Sequence, residues 1–358
     1  MYQEKEELNY TLLKPQYAQN FIIQFHKGYT LVQVLNQNQP IAQYVLLKRG
    51  QKKPTIKADA FLQIPVQKFA TFSTTDLAAI EALKLHKALV GVPEKEYIVS
   101  KNIQNLLQEG KLKIVGGAVS VNYEQLVALR PEMVLVTTPW NKVDRSLEKL
   151  KSLQITYLLN SSYLEEHPLG RAEWIKFIAI FFDKLPQAEK IFTEIERDYA
   201  NLQQIVLEQV KKKPTVLCNI PYAGTWYVPG GRSYMAKLLE DAGADYLWKE
   251  DKQTKSLALG LETVMQRGLE ADFWIHFDNL PSKKALRNAD KRYEKIKAFQ
   301  IGNLWNNNLT KNAFSGNDFY EQGSLHPEWI LADLIKIFHP TLKLHPKYLG
   351  FRFYQKLK

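Results

Sequence analysis

Short buried runs and amphipathic stretches alternate along most of this chain. From residue 63 onward, strand-like runs such as "FATFS", "KLKIVGG" and "EMVLVTT" are separated by helix-like stretches such as "DLAAIEALKL" and "YEQLVALR". Thr74 or Thr75 is expected to cap the first of these helices, and Pro131 to close the second. Strands that alternate with short helices predict parallel sheets covered by helices.

Two regions depart from this alternation. Residues 1–62 are rich in β-formers, and Lys27-Gly28 resembles a hairpin turn, so an antiparallel N-terminal addition is expected. Residues 186–212 contain no Gly and no internal Pro, and predict a helix about 40 Å long. Its apolar residues at helical spacing are Ile191, Phe192, Ile195, Tyr199, Leu202, Ile205 and Val206.

The predicted fold class is α/β, with two Rossmann-like lobes whose parallel-rich sheets are joined by one long α-helix. The expected division is a β-rich extension (1–62), an N-terminal α/β lobe (63–168), connecting helices (169–212) and a C-terminal α/β lobe (213–358). Two stretches, "VNYEQLVALRPEMVLVTTPW" and "LGLETVMQRGLEADFWIHFD", follow the same helix–break–strand pattern. Equivalent units in two similar lobes explain this pattern, and chance similarity is the alternative.

Composition and charge narrow the functional classes. The 358 residues carry a net charge of +11, which suits nucleic acid, a membrane surface or an anionic small ligand. The lysines are scattered and no RNA-binding signature accompanies them, which disfavours nucleic acid.

Cys218 is the single cysteine, so neither a disulfide framework nor a zinc cluster is expected. No apolar run is long enough to span a bilayer, and the polar start "MYQEKEELNY" is not a signal peptide, so an exported protein would have lost its leader.

The usual catalytic motifs are missing. There is no P-loop, nucleophile elbow, dinucleotide-binding glycine pattern or paired-histidine zinc motif, and the seven histidines are dispersed. We therefore expect neither an enzyme nor a metal site, and no resident cofactor.

Aromatic residues supply the candidate ligand contacts. Tyr222, Trp226 and Tyr227 lie in "PYAGTWYVPGG", which is read as a loop after a strand, and Trp140 lies in the matching first-lobe loop "TTPWNK". Ligands of open α/β sheets bind at the carboxyl ends of strands. The alternative is that these rings pack their loops onto their own lobe.

Two arginines are candidates for charged ligand contacts. Arg232 begins a helix beside the aromatic loop, and Arg145 follows the first-lobe loop. Either side chain would give charge-assisted hydrogen bonds to an anionic group. In the rival interpretation Arg232 pairs with a helix acid such as Glu240.

Several longer motifs together resemble one family. They are "FATFSTTDLAAIEAL", "KLKIVGG", "NYEQLVALRPEMVLV", "HPLGRAEWIKF", "WYVPGGRSYMAKLLEDAGADYLW", "SLALGLETVMQRGLEADFWI" and "NDFYEQGSLHPEWILADLIKIFHP". Over roughly residues 66–345, their order resembles the substrate-binding proteins of ABC importers for iron chelates, haem and cobalamin. These are class III periplasmic binding proteins, and the motifs look most like versions from Bacteroidetes-type bacteria, which are often lipid-anchored.

The resemblance implies a role for each half of the chain. Glu124 and Glu262 match the family's exposed glutamates, which dock onto arginines of the membrane permease; the alternative is a solvated surface Glu. Positions that carry Trp in cobalamin-binding members correspond roughly to Ala118, Thr137 and Ser256, which lowers the expectation of cobalamin.

The resulting expectation is a monomeric periplasmic protein, in some versions lipid-anchored, that binds a ferric siderophore-like chelate between its lobes for an ABC permease and its ATPase. The candidate ligand-binding residues are Thr74, Tyr97, Thr137, Trp140, Tyr222, Trp226, Tyr227, Arg232, Ser256 and Phe277. Alternatives are cobalamin or haem in the same role, a two-lobed metal chelatase-like enzyme, and a receptor-coupled scaffold. Absent cysteine ligands and dispersed histidines argue against the enzyme.

Overall fold

The computed structural model of the chain describes residues 2–4, 10–117, 120–137, 145–277, 279–314 and 316–358. Contacts within this part of the chain define two units. Unit 1 comprises residues 1–165, 169–193 and 312–325, and unit 2 comprises residues 166–168, 194–311 and 326–358. Each unit contains a mainly parallel sheet, so the predicted α/β fold class is confirmed.

The β-rich N-terminal residues form the first sheet of unit 1. Its strands, in spatial order, are β1 (Tyr2–Glu4), β2 (Tyr10–Leu13), β3 (Phe21–His26), β4 (Tyr29–Asn36), β5 (Gln39–Lys48) and β6 (Ala60–Ile64). The predicted turn at Lys27-Gly28 joins β3 to β4, and Gly28 has a φ of 101°. Strand β6 departs from the antiparallel expectation and runs parallel to β5, because the connection between them returns along the sheet.

Two buried carboxylates anchor this sheet within unit 1. The Glu173 side chain accepts the backbone N–H groups of residues 16, 17 and 18, and Glu165 accepts those of residues 19 and 20, at 2.8–3.1 Å. Beside them, the Phe21 ring packs edge-on against Trp174, with centroids 5.0 Å apart. The four-part division of the chain stays a prediction, but these contacts join the extension to unit 1.

The parallel sheet of unit 1 has the spatial order β11-β10-β7-β8-β9. Its strands are β7 (Phe69–Thr71), β8 (Leu89–Val92), β9 (Lys113–Ile114), β10 (Met133–Val136) and β11 (Tyr157–Leu159). The accompanying helices are α1 (Leu77–Ala82), α2 (Lys101–Gln108), α3 (Tyr123–Leu129), α4 (Arg145–Ser152) and α5 (Pro168–Ile180). All four residues of β10 are buried, as expected for a strand covered on both faces.

The first helical turn after β7 begins earlier than predicted. Ser73, rather than Thr74 or Thr75, is its cap, because its Oγ accepts the N–H of Thr75 at 3.3 Å. The end of α3 agrees with the sequence: Arg130 adopts φ 49° directly before Pro131.

The long helix is α6 (Leu185–Gln209), and the chain passes from unit 1 to unit 2 between Thr193 and Glu194 within it. Buried residues recur along one stripe of the helix: Phe192, Ile195, Tyr199, Leu202 and Val206. The predicted end at residue 212 was three residues too late. Pro214 disfavours helical backbone in the residue before it, so the lysines at 211–213 lead out of the helix.

The main sheet of unit 2 has the order β15-β12-β17-β18-β19, in which only β19 is antiparallel to its neighbour among the described strands. These strands are β12 (Thr215–Cys218), β15 (Asp245–Tyr246), β17 (Phe273–Ile275), β18 (Leu304–Asn306) and β19 (Gln355–Lys356). The remaining strands are β13 (Pro221–Tyr222), β14 (Thr225–Val228) and β16 (Leu257–Leu259). The helices from here on are α7 (Tyr234–Asp241), α8 (Leu261–Gly268), α9 (Lys283–Ala289), α10 (Lys297–Ile301), α11 (Asp318–Glu321) and α12 (Pro327–Phe338).

The segment "PYAGTWYVPGG" is not the long loop that the sequence predicted. Strands β13 and β14 form a hairpin, and β16 joins β14 in a small antiparallel sheet. Ala223 and Gly224 have φ values of 48° and 81°, which are those of the tight two-residue turn that twisted hairpins favour.

The two parallel sheets share one strand order. In unit 1 the neighbours run β8-β7-β10-β11, and in unit 2 they run β15-β12-β17-β18. In unit 1, helix α3 contains the predicted docking glutamate and leads into β10, which lies beside β7. In unit 2, helix α8 contains the other glutamate and leads into β17, which lies beside β12. This correspondence accounts for the repeated pattern of the two stretches.

Residues 312–325, which the sequence had grouped with the C-terminal lobe, contact unit 1. The Asn312 side-chain amide donates to the carbonyl oxygens of Glu96 and Ile98 at 3.0 and 3.1 Å. The buried Glu321 carboxylate accepts the N–H groups of Val99 and Ser100 at 2.8 Å each. The chain therefore returns to unit 1 before it forms α12 in unit 2.

Candidate functional site

The carboxyl ends of the unit 1 strands bring polar side chains together. Thr74 lies half-buried in the turn after β7. Glu94, after β8, accepts the N–H of Gly117 at 3.0 Å and the hydroxyl of Ser120 at 2.7 Å. Burial would raise the pKa of Glu94, but these hydrogen bonds outweigh it and hold the pKa below its usual range. The carboxylate thus ties together the segments that follow β8 and β9.

A buried network lies at the same edge. Asp76 accepts hydrogen bonds from Thr71 Oγ1 at 2.5 Å and Asn160 Nδ2 at 2.6 Å. Burial raises the pKa of Asp76 to about 6, although both hydrogen bonds oppose the shift. Asp76, Asn160 and Ser324 line a cavity of about 20 Å³, which has room for one water molecule.

The other candidates of unit 1 differ in exposure. The Tyr97 side chain, after β8, is 50% exposed. Thr137, directly after β10, has a buried Oγ1 without a hydrogen-bond partner among the described residues. Arg145 is exposed at the start of α4. Trp140, most of the 137–142 loop and Ala118 lie outside the described residues.

In unit 2, strand β14 places two neighbouring aromatic candidates on opposite faces. Alternation along the strand directs Trp226 into the core and leaves Tyr227 44% exposed. The Trp226 ring is fully buried against Trp274, and its Nε1 donates to the Cys218 carbonyl at 3.0 Å. For Trp226 the structure therefore matches the packing alternative.

The other aromatic and polar candidates in unit 2 also differ in exposure. Tyr222, on the hairpin, is 75% exposed. Phe277 is fully buried, and its N–H donates to Asn306 Oδ1. Ser256 is exposed directly before β16. Tyr222 and Ser256 are therefore accessible, whereas the Phe277 ring belongs to the core.

Arg232 has a carboxylate partner that the sequence did not predict. Its guanidinium contacts both Glu166 carboxylate oxygens, with Nη2 2.8 Å from Oε2 and 3.1 Å from Oε1. Glu240, the expected rival partner, instead pairs with Lys237 at 2.9 Å. The Arg232 side chain remains 59% exposed, so an anion can still reach it.

Sequence reasoning missed two residues at the carboxyl edge of the unit 2 sheet. Asn219 follows β12 and His276 follows β17, with φ values of 64° and 68°. Left-handed backbone at non-glycine residues often marks functional sites, but side-chain patterns do not reveal it. His276 Nε2 lies 2.6 Å from the Tyr354 hydroxyl, and burial lowers the pKa of His276 to about 3, so its ring is neutral.

Comparison with known proteins identifies the family. A model described as periplasmic binding protein matches residues 70–303, more than half of the chain. The chain belongs to the periplasmic binding protein family. Members of this family bind solutes and are not enzymes.

Individual relatives of this periplasmic binding protein come from several organisms. An uncharacterized lipoprotein of Methanocaldococcus jannaschii is 28% identical and matches 85% of this chain and 71% of its own. A periplasmic haem-binding protein from Pseudomonas aeruginosa has TM-score 0.60 and 20% identity, and covers 80% of this chain and 97% of its own. A possible iron-binding periplasmic solute-binding protein from Staphylococcus epidermidis has TM-score 0.59 and 15% identity, and covers 77% and 99%.

The two predicted docking glutamates occupy the same position in their helices. Glu124 is the second residue of α3, and Glu262 is the second residue of α8. Both are exposed, and the first turn of a helix favours an acidic side chain. The Glu262 side chain is 84% exposed and lies 3.4 Å from Arg292, which pairs more closely with Asp290.

The described residues also bear on membrane spans and on metal sites. In those residues, no helix combines the length and apolarity that a membrane span needs. Within the same ranges, no group of three or more His, Cys, Asp or Glu side chains is arranged to hold a metal ion.

Proposed function

We propose that this periplasmic binding protein captures an iron chelate outside the cytoplasm and delivers it to an ABC importer. The observation that carries the proposal is the family match over residues 70–303, together with equivalent sheets that each have an exposed glutamate on the preceding helix. The name of the Methanocaldococcus relative, a lipoprotein, supports a lipid-anchored form of the same role.

In this proposal Glu124 and Glu262 dock onto arginines of the permease. Both carboxylates are exposed, so a partner reaches them without unfolding either unit. Exposed ion pairs contribute only about 0–1 kcal/mol each, so these two contacts orient the protein more than they hold it. Arg292 is exposed and already paired with Asp290, which leaves the Glu262 carboxylate available.

The chelate is anionic and in part aromatic. Tyr97 in unit 1 and Tyr222 and Tyr227 in unit 2 offer exposed ring faces, and Arg232 offers the charged contact. Because the Arg232–Glu166 pair is partly exposed, replacing its carboxylate with a ligand oxygen costs little. Thr74, Thr137, Trp140 and Ser256 remain candidate polar or aromatic contacts.

Haem is the second candidate, favoured by the exposed aromatic rings and by the haem-binding Pseudomonas structure of the same fold. Cobalamin is less favoured, because Ala118, Thr137 and Ser256 are not aromatic. The chelatase-like enzyme is not favoured, since the family consists of solute-binding proteins.

A ligand screen tests the proposal. Purified protein is mixed with ferric catecholate, ferric hydroxamate, hemin and cyanocobalamin, and binding is followed by native mass spectrometry and thermal unfolding. A chelate at 100 times its dissociation constant should stabilise the protein by about 2.7 kcal/mol. Binding of a ferric siderophore supports the leading candidate, and binding of hemin alone supports the second. No complex with any chelate would overturn the proposal.

A further inference from the structure

Three exposed aromatic residues lie in unit 1 on two chain segments that are distant in sequence. Phe314 is 65% exposed, Tyr320 is 54% exposed and Tyr97 is 50% exposed. Phe314 and Tyr320 belong to the 312–325 segment, which follows the family match ending at residue 303. The matched family model therefore does not extend to these two rings, although the motif that contains Tyr320 resembles the family.

Hydrogen bonds fix the first part of this segment beside Tyr97. The Asn312 side chain donates to the carbonyl oxygens on either side of Tyr97, those of Glu96 and Ile98. Gly316 N–H also donates to the Glu96 carbonyl at 3.0 Å. A Cβ atom on Gly316 would lie 2.7 Å from the Tyr97 carbonyl oxygen, so only glycine allows this close approach.

The backbone around Phe314 is held by the same asparagine. Asn312 Oδ1 accepts the N–H of Phe314 at 2.9 Å and the N–H of Gly316 at 3.0 Å. Phe314 therefore projects from a turn whose backbone is tied to the residues around Tyr97.

Further contacts place Tyr320 at the same edge of the sheet. Its neighbour Glu321 binds the backbone N–H groups of Val99 and Ser100, after β8. Ser324 Oγ donates to the Thr75 carbonyl, after β7, at 2.7 Å. The 312–325 segment thus spans the carboxyl ends of β7 and β8, where ligands of open α/β sheets bind.

All three residues are half or more exposed although the backbone below them is well bonded, and the Tyr320 ring also packs edge-on against Phe319, with centroids 5.2 Å apart. A single exposed aromatic residue needs no explanation, but several large exposed rings on adjoining backbone segments are a feature of binding surfaces. A backbone fixed by hydrogen bonds also reduces the conformational entropy that binding would cost. Aromatic faces suit a flat conjugated partner, which stacks on or packs edge-on against them.

We propose that Tyr97, Phe314 and Tyr320 form a surface that binds the conjugated ring of an aromatic metal chelate, such as a catecholate or a tetrapyrrole. The inference rests on the proposed function and assigns part of the ligand contact to a segment beyond the matched family region. Catecholates and tetrapyrroles share the flat conjugated ring, and the experiment separates them.

The experiment compares chelates with and without aromatic rings. Dissociation constants for a ferric tris-catecholate, hemin and a linear ferric trihydroxamate are measured for the wild type and for Phe314→Ala, Tyr320→Ala and Tyr97→Ala. Each variant should bind the preferred aromatic chelate about three- to tenfold more weakly, the range that one aromatic contact supplies. Trihydroxamate affinity, where measurable, should change less than twofold.

Two controls separate ring contacts from altered folding. Leu207→Ala removes a side chain that is 78% exposed on α6 in unit 2 and should leave every affinity unchanged. Tyr97→Phe and Tyr320→Phe keep the rings and should bind the aromatic chelate as the wild type does. Thermal unfolding of each variant confirms that the chain is folded.

The outcomes distinguish this inference from the proposed function. Wild-type affinity for an aromatic chelate in all three alanine variants would overturn the inference and leave the proposed function intact. Equal weakening of aromatic and hydroxamate chelates, or wild-type binding of the hydroxamate alone, would refute the preference for a conjugated ring. Failure of the wild type to bind any chelate would overturn both.

Discussion

Arg232 binds Glu166 through two guanidinium nitrogens, and its Nη2 lies 2.8 Å from Glu166 Oε2. Glu166 thus binds the guanidinium that the proposed function assigns to an anionic chelate. Both side chains are partly exposed, at 59% and 33%, so under the proposed function Glu166 and an anionic ligand would compete for the Arg232 guanidinium.

If Glu166 competes with the chelate for Arg232, substitutions of these two residues should change the chelate affinity in opposite directions. Arg232→Ala should weaken binding of an anionic ferric chelate about ten- to a hundredfold, because a charge-assisted hydrogen bond contributes roughly 1.5–3 kcal/mol. Glu166→Gln should strengthen binding by a few-fold, since it removes the competing carboxylate. Titration by intrinsic tryptophan fluorescence measures both effects. Lys249→Ala, which breaks an exposed pair with Asp245 in the same unit, is the control; unchanged affinity in Arg232→Ala would remove Arg232 from the site.

Trp226 and Tyr227 are adjacent on β14 but should respond differently to substitution. Trp226→Ala should lower the free energy of unfolding by about 3–5 kcal/mol, because it leaves a cavity beside Trp274. Tyr227→Ala should lower it by less than about 1 kcal/mol, since that ring is 44% exposed. Urea unfolding gives both values. Equal costs would show that Trp226 is not a core residue.

Glu173 should determine how firmly the N-terminal sheet is held. Glu173→Ala leaves the N–H groups of residues 16–18 without this acceptor, and the buried N–H of Ala18 alone costs about 1–3 kcal/mol if it stays unsatisfied. The variant also leaves Lys176 without its carboxylate partner at 2.7 Å. We expect lower stability and faster proteolysis within residues 1–62, detected by limited trypsin digestion and mass spectrometry. Glu194→Ala, an exposed change on α6, is the matched control. Digestion at the wild-type rate would show that the three hydrogen bonds do not anchor the sheet.

Asp76 should make stability depend on pH in a defined direction. Burial raises its pKa in the folded protein to about 6, from an ordinary value of 3.8. Between these two pKa values the folded state binds more protons than the unfolded state. The contribution of Asp76 to the stability of the protein therefore decreases as pH rises through that window. Asp76→Asn removes the titration and should gain stability relative to the wild type as pH rises from 4 to 7, by about 3 kcal/mol at most. Thermal unfolding at constant ionic strength measures the stability difference between Asp76→Asn and the wild type, and Glu148→Gln is an exposed control. A stability difference that does not change with pH would contradict a raised pKa of Asp76.

Local patterns were sufficient to predict the parallel sheets and the long helix. All four residues of β10 are apolar and buried, and the buried residues of α6 recur at helical spacing. Both elements therefore follow from short-range sequence. The repeated Glu pattern also correctly indicated equivalent helix–strand units. The resemblance to the periplasmic binding protein family was confirmed by the match over residues 70–303.

Other features depend on contacts between distant parts of the chain. The attachment of residues 312–325 to unit 1 relies on Asn312 and Glu321 finding backbone partners more than 200 positions away. The Arg232–Glu166 pair spans 66 positions. The inward direction of Trp226 was missed because its segment was read as a loop, whereas strand alternation, once the hairpin is known, fixes that direction.

An uptake assay tests most directly whether this protein delivers a chelate to a permease through both glutamates. Cells or proteoliposomes with the cognate importer receive a radiolabelled ferric chelate with wild-type protein, Glu124→Ala plus Glu262→Ala, or Glu148→Ala plus Glu270→Ala. The last pair removes exposed glutamates at other positions of the two units. We expect uptake to fall at least tenfold only in the first double variant, with its chelate affinity unchanged. Wild-type uptake by that variant would contradict the docking role of Glu124 and Glu262.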